Sequence, residues 1–488
     1  MFDDVMWSGI VSMGVLYLLV WAVGIGSTRG TRTSDALDEL MLAGRDLPLW
    51  VGLLTMTATW VGGGYINGTA EQAFSAGPLW GAQAGIGYAL SLIFGGVFYA
   101  RVMRRCGFAT LVDPLERRYG KRTAALLMVP AVAAELFWCA AILVALGSTF
   151  GTVVGLPLVP AILLSAVVAV AYTVGGGLRA VAYTDVIQLF LIVGGLGLAM
   201  PVVIRAAGGV SAISAALSGA SFADVTEASS YGDYFVLLIF GGIPWNVYFQ
   251  RVLSSPGPEQ AARMSIAAGL LCALMAVPPL LLGLAATSVD WSAVAGPEAA
   301  TALADQPAMV LPWLLRYAVP NWVGVLGLGA IAAAVMSSVD SSILSAASMV
   351  AWNGYRRLIN PNASADQVAR LVKILVVIFG SLATLVALGA GGSVSALWYL
   401  CGDIVYCVLF PQLTLALFDR RANRSGALAG LLVSVVLRAM LSIVQFRTAA
   451  MLGGLAVSLL VSRLTQASDP PRPLGDPELD EDTGAALP

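Results

Sequence analysis

Apolar stretches of about the length of a membrane crossing recur along this chain, with short polar segments between them. A helix that spans the hydrocarbon core needs about 20 predominantly apolar residues. Thirteen stretches answer to that description: 7–27, 48–74, 80–102, 123–148, 156–174, 181–204, 232–250, 262–287, 319–349, 369–390, 394–417, 425–441 and 448–463. The pattern predicts an all-α integral membrane protein with 13 transmembrane helices joined by short loops. Residues 466–488, rich in Pro, Asp and Glu, read as a disordered tail.

Composition sharpens this. Of 488 residues, 58% are hydrophobic and only 11% charged, against about 25% charged in an ordinary soluble domain. The net charge of -2 offers nothing to nucleic acid. Histidine is absent, which removes imidazole metal ligands and Ser-His or Cys-His catalytic pairs. No nucleophile motif replaces them, so the chain does not read as an enzyme. The five cysteines show no CxxC spacing and mostly lie in apolar runs, without a disulfide framework. The first stretch follows an acidic leader (Asp3, Asp4) and does not resemble a cleaved signal peptide. With the amino terminus outside, 22 of the 26 Lys and Arg fall on the inner side, three (Arg205, Arg316, Arg447) outside, and Arg438 within a span. That asymmetry follows the positive-inside rule. It predicts a multi-pass protein of the cell membrane, plasma or inner, with its carboxyl terminus in the cytoplasm.

Two spans carry interruptions. The second contains Trp60-Val61-Gly62-Gly63-Gly64-Tyr65 and the seventh Gly241-Gly242-Ile243-Pro244-Trp245. Three adjacent glycines cost helix propensity for no packing reason visible in the sequence. The interrupted spans lie five helices apart, so residues 48–206 (spans two to six) and 232–418 (spans seven to eleven) form two five-helix halves. An odd number of helices per half makes the repeat inverted. Interrupted helices in corresponding positions of two halves point to a transporter's substrate and ion sites. Residues 1–47, with the first span and a cytoplasmic loop, and 425–465, with the last two spans, lie outside this 5+5 core.

Polar residues inside the spans supply the candidate chemistry. Glu135, Asp185, Asp340 and Asp403 sit in apolar runs and Glu71 near the end of one. An intramembrane carboxylate is costly and either marks an ion path or serves as a satisfied structural partner. In the ninth span, helical geometry puts Ser337, Asp340 and Ser341 on one face, with Ser338, Ser341, Ser342 and Ser345 overlapping it. Such hydroxyls either join helices or, with carbonyls released at the Gly62 break, offer oxygen ligands to a hard cation such as sodium. Trp60 and Trp245 border the two breaks, Trp138 lies one turn beyond Glu135, and Trp398-Tyr399 lies near Asp403. A single tryptophan in a bundle can simply pack; several aromatic faces together are what a quaternary ammonium requires, since it has no N–H to donate.

On these residues the chain resembles the sodium:solute symporter family and, within it, the branch that takes up choline with high affinity. The motifs are Thr55 to Glu71 through the first break, Ile86-Gly87-Tyr88, Glu135-Leu136-Phe137-Trp138, Ala182-Tyr183-Thr184-Asp185, the second break, Phe249-Gln250-Arg251-Val252-Leu253-Ser254-Ser255 and Ala334 to Ser345. The similarity runs from about residue 40 to about 440. The resemblance implies the LeuT-type inverted-repeat fold and sodium-coupled choline uptake by alternating access. It implies a choline site of Trp60, Tyr88, Trp138, Trp245 and Trp398. It places a main sodium site on the carbonyls of Ala58, Val61 and Ala334 with the hydroxyls of Ser337 and Ser338. A second sodium site, known in some relatives, falls on Asp185, Ser337, Asp340 and Ser341; those relatives have serine where this chain has Asp340. Chloride, a requirement of the animal proteins, falls on no residue. Two other readings stay open: symport of betaine, proline or another small solute, and a membrane receptor that binds choline without transporting it. A zwitterion needs a partner for its carboxylate, and no arginine is expected near the aromatic group.

Overall fold

The computed structural model describes residues 5–28, 36–173, 177–389, 393–440 and 446–475, and among them every regular element is helical. We label the main helices α1 (Trp7–Thr28), α2 (Leu49–Trp60), α3 (Gly63–Ser75), α4 (Pro78–Arg105), α5 (Lys121–Val154), α6 (Leu158–Thr173), α7 (Leu178–Ala206) and α8 (Val225–Gly241). Then follow α9 (Asn246–Leu253), α10 (Pro258–Ala286), α11 (Asn321–Ile359), α12 (Ala365–Gly389), α13 (Val394–Phe418), α14 (Arg424–Met440) and α15 (Arg447–Leu464). Every apolar stretch read from the sequence falls on one of these helices or on an interrupted pair. Among the described residues, ten helical segments, with α8 and α9 taken as one, are long and apolar enough to cross a membrane. The remaining stretches are the broken α2–α3, the 16-residue α6 and the 17-residue α14.

Burial sorts the helices. α1 turns Trp7, Val11, Val15, Leu18 and Trp21 outward, all more than half exposed, as a lipid-facing helix must. α11 is the opposite: every residue from Ala330 to Met349 is buried. Its Ala and Ser side chains are small enough for α7, α5 and the broken α2–α3 to pack against it closely. π-helical turns occur at Gly95–Ala100, Val350–Ile359 and Val405–Leu409, inside α4, α11 and α13.

Two expectations about the connections need correction. The connections contain short helices, among them Val112–Tyr119, Val210–Ser218 and Val310–Tyr317, because apolar side chains such as Leu314 and Leu315 find a surface to bury against. Residues 466–475, expected as the start of a disordered tail, are folded onto the protein. Asn423 and Ser425 bond Asp469, Arg117 and Arg118 donate to the carbonyls of Leu474 and Arg472, and Leu474 is fully buried. The rest of that segment, 476–488, and the basic residues Arg29 and Arg32 lie outside the described residues.

Candidate functional site

Both interruptions are real breaks in the backbone. α2 ends at Trp60; Val61 (φ -83°, ψ 52°) and Gly62 (φ -87°, ψ -177°) leave helical geometry before α3 begins. α8 ends at Gly241, and Trp245 is extended (φ -110°, ψ 132°) before α9. The glycines of the first break have a packing role that the sequence conceals. A Cβ on Gly62 would lie 1.6 Å from Ser338 Oγ, one on Gly63 would lie 2.0 Å from Val335 Cγ2, and one on Gly64 would press on the Trp138 ring at 3.4 Å. Hydrogen on Gly62 and Gly63 lets the break sit directly on α11, with Gly64 beside α5.

That contact brings oxygen atoms together. Ser337 Oγ lies 3.1 Å from the Ala58 carbonyl and 2.9 Å from that of Ala334. Ser338 Oγ lies 3.3 Å from the carbonyls of Thr59 and Ala334. Thr59, unnoticed in the sequence, thus contributes a carbonyl beside that of Ala58, while Val61 stands at the break itself. Hydroxyls and carbonyls of this kind suit a hard cation, and here the hydroxyls bond the carbonyls directly.

The aromatic residues converge beside the same break. Thr59, Trp60, Tyr88, Trp138 and Trp245 line one cavity of about 300 Å³. The Trp138 and Trp245 rings stand edge to face, centroids 6.2 Å apart at 61°, and Trp245 Nε1 is held by the Gly241 carbonyl at 2.7 Å. Trp398 is placed differently from its four companions. It is fully buried and absent from the cavity wall; it lies behind Tyr88, donating its Nε1–H to the Tyr88 hydroxyl, with ring centroids 5.7 Å apart. Its ring also stacks on Tyr399, centroids 5.1 Å apart.

The five carboxylates separate into two groups. Glu71 caps α13, accepting from Ser393, Ser395 and the Val394 and Ser395 amides. Asp403 pairs with Arg438 at 2.6 Å. Both are structural partners. Glu135, Asp185 and Asp340 instead surround α9 and the serine face of α11. Glu135 accepts from Ser345 at 2.9 Å and from the Val247 amide at 3.4 Å, in the first turn of α9.

Asp185 shows what the sequence missed. Arg251, expected among the inner-side loop charges, is fully buried, with a guanidinium nitrogen 3.5 Å from Asp185 Oδ2. The same nitrogen reaches Ser341 Oγ at 2.5 Å, and Thr55 donates to Asp185 at 2.6 Å. The pairing is the physical reason a charge survives there. Among the described residues Asp185 Oδ1, Asp340 Oδ2, Glu135 Oε2 and Arg251 Nε have no hydrogen-bond partner, so this is an incompletely satisfied buried network. The only signal in the sequence was an arginine six residues beyond the second break.

Residues 40–434 match the family model of the sodium:solute symporter family. The chain belongs to that family. It is 43% identical to the high-affinity choline transporter 1 of Caenorhabditis elegans, over 93% of this chain and 84% of that protein. It is 44% identical to the high affinity choline transporter 1 of Homo sapiens, over 88% and 76%. A solved Na+-coupled sialic acid symporter, in a substrate-bound outward-open state, superposes with TM-score 0.78 at 20% identity, covering 94% of this chain and 98% of that one. Mhp1, a nucleobase-cation-symport-1 family transporter, gives TM-score 0.62 at 13% identity over 88% and 95%. At those identities the likeness is one of fold, the LeuT-like transporter architecture. As a member of the sodium:solute symporter family, the chain is a multi-pass membrane transporter and not an enzyme.

Proposed function

We propose that this symporter carries choline inward with sodium by alternating access. One observation supports the reading above others: four aromatic side chains, Trp60, Tyr88, Trp138 and Trp245, wall a single cavity between the two helix breaks, and no charged group among the described residues shares that wall. A quaternary ammonium gains about 0.5 to 2 kcal/mol from each aromatic face and needs no acceptor. Trp398 serves from behind, fixing the Tyr88 ring. A betaine or proline carboxylate would lack a cationic partner in the wall, since Arg251 is committed to Asp185. The relatives named as choline transporters lend the same direction.

Sodium, the driving co-substrate, is assigned to Ala58, Val61, Ala334, Ser337 and Ser338, where the first break meets α11. The position on Asp185, Ser337, Asp340 and Ser341 already faces the Arg251 guanidinium, whose positive charge disfavours a second sodium on those oxygens. We assign no residue to chloride. In this reading the chain makes 13 crossings, with residues 48–206 and 232–418 as inverted five-helix halves and the amino terminus outside. Sodium bound more tightly to the outward form than to the inward one would supply the coupling. Each charge moved inward gains about 2.3 kcal/mol per 100 mV, so uptake should be electrogenic.

The test is labelled-choline uptake into proteoliposomes with and without an inward sodium gradient, competed by betaine, proline and glucose. Sodium-driven accumulation blocked by unlabelled choline and not by betaine, proline or glucose is the expected result. Competition by betaine, proline or glucose at equal concentration would reassign the substrate, and binding without accumulation would make the protein a receptor.

A further inference from the structure

Two cavities remote from the transport site lie between the same pair of helices. The first is ringed by Lys121, Arg122, Arg424 and Arg472, with Tyr119, Gly120 and Thr123, and holds about 480 Å³. Lys121 and Arg424 are the first residues of α5 and α14, so both helices start at this pocket and run away from it side by side. Gly120, at φ 84°, leaves room for the Arg472 guanidinium, which a Cβ there would meet at 2.8 Å. Lys121 Nζ donates to the Arg357 carbonyl at 3.1 Å. Among the described residues the ion pairs on this side belong to other arginines: Arg45 with Asp38, Arg101 with Glu259, Arg179 with Glu39 and Asp46, Arg357 with Glu116 and Arg463 with Asp419. The nearby Asp469 is turned to cap Ser425. Among the described residues no side chain caps the start of α5, so its open amide end adds to the positive potential.

The lining of the second cavity begins one turn further along both helices, at Leu126 after Arg122 and at Leu428 after Arg424. It is a groove of about 1500 Å³, lined from α5 by Leu126, Val129 and Ala133 and from α14 by Leu428, Leu432 and Val435, with part of α13 behind. It closes at the Asp403–Arg438 pair. From Arg122 to Ala133, and from Arg424 to Val435, helical rise covers about 16 Å. One leaflet of a bilayer is about 15 Å of hydrocarbon. Leu126, Val129, Leu432 and Val435 are 47 to 64% exposed, too much apolar surface for a groove facing water.

We propose that α5 and α14 hold one anionic phospholipid, its phosphate in the basic pocket and an acyl chain along the groove. Charge and shape agree on that occupant: cations at headgroup level followed by an apolar channel one leaflet deep. The pocket lies on the side where the chain's basic residues gather, so the leaflet is the cytoplasmic one in the orientation read above.

Native mass spectrometry of the full chain, equilibrated in detergent with equal phosphatidylglycerol and phosphatidylethanolamine of identical acyl chains, tests this. Wild type should retain phosphatidylglycerol at least tenfold in preference. Arg122→Gln with Arg424→Gln and Arg472→Gln, all at exposed positions, should weaken that retention by roughly 100-fold. Ala133→Trp, which fills the groove and leaves every charge, should lower retention of the same lipid. Millimolar inorganic phosphate should not displace it. Equal retention in wild type and the triple variant overturns the proposal, and displacement by phosphate alone makes the pocket a free-anion site instead. A chain ended at Gly475 removes Asp476, Glu478, Asp480, Glu481 and Asp482; if lipid is retained only by that shortened chain, the pocket belongs to the acidic segment and the lipid assignment fails.

Discussion

Removing one member of the Asp185–Arg251 pair should destabilise the protein more than removing both. The guanidinium and carboxylate are 3.5 Å apart and fully buried. At an effective dielectric of about 20 their attraction is about 5 kcal/mol, most of it offset by the cost of dehydrating two ions. Taking away one partner leaves the other ion buried and unpaired, a loss of about 3 to 5 kcal/mol. For Asp185→Asn the stranded group is Arg251, left with Ser341 and the Val247 carbonyl. For Arg251→Met it is Asp185, left with Thr55 alone. The double variant buries no isolated charge at this pair and should lose about 1 to 2 kcal/mol. Equilibrium unfolding in mixed detergent micelles, followed by tryptophan fluorescence, measures all four corners of the cycle. A double-variant loss equal to the sum of the single losses would refute the pairing, because two groups that interact cannot be additive.

The other predictions concern the transport site and its supports. Trp138→Ala or Trp245→Ala should weaken choline binding by about 2- to 30-fold per face, read by equilibrium binding, with unchanged affinity in both removing the aromatic site. Ser337→Ala with Ser338→Ala should abolish the sodium stimulation of uptake into vesicles; stimulation that survives rejects the sodium assignment. Gly62→Ala places a carbon 1.6 Å from Ser338 Oγ and must drive the break off α11, so sodium-stimulated uptake should disappear. Gly194→Ala, with nothing within 4 Å, should leave uptake intact in the same assay. Glu71→Ala strips the acceptor from the start of α13 and should cost about 1 to 3 kcal/mol of stability, visible as a lower unfolding midpoint.

The parts of this architecture that were legible in the sequence are those written locally. Three consecutive glycines, or Gly-Gly-Ile-Pro-Trp, announce a broken helix without reference to anything distant, and both breaks stand where those residues do. Facing partners are not written locally. Glu71 and Asp185 look alike as lone acids in apolar runs, yet one caps a helix more than 300 positions away in the chain and the other neutralises an arginine. Arg251 follows a span as any inner-side loop arginine would, and only the fold shows that it turns inward. Trp398 shares its composition with the other tryptophans, but its helix sets it one layer behind the cavity.

A common arrangement runs through these cases. Asp185 with Arg251, Ala58 with Ser337 and Trp138 with Trp245 each join a residue of 48–206 to a residue of 232–418. Every element of the candidate site is therefore a contact between the two stretches, and either stretch alone holds only half of each pair. A displacement of one stretch against the other would lengthen the ion pair, open the oxygen cluster and part the aromatic faces together. A cation that draws Ala58 and Ser337 onto itself would oppose that displacement and so hold Trp138 against Trp245. This is the form a coupling free energy between ion and substrate must take in such a structure. It makes the Ala58–Ser337 contact the place where a change should alter choline affinity only when sodium is present.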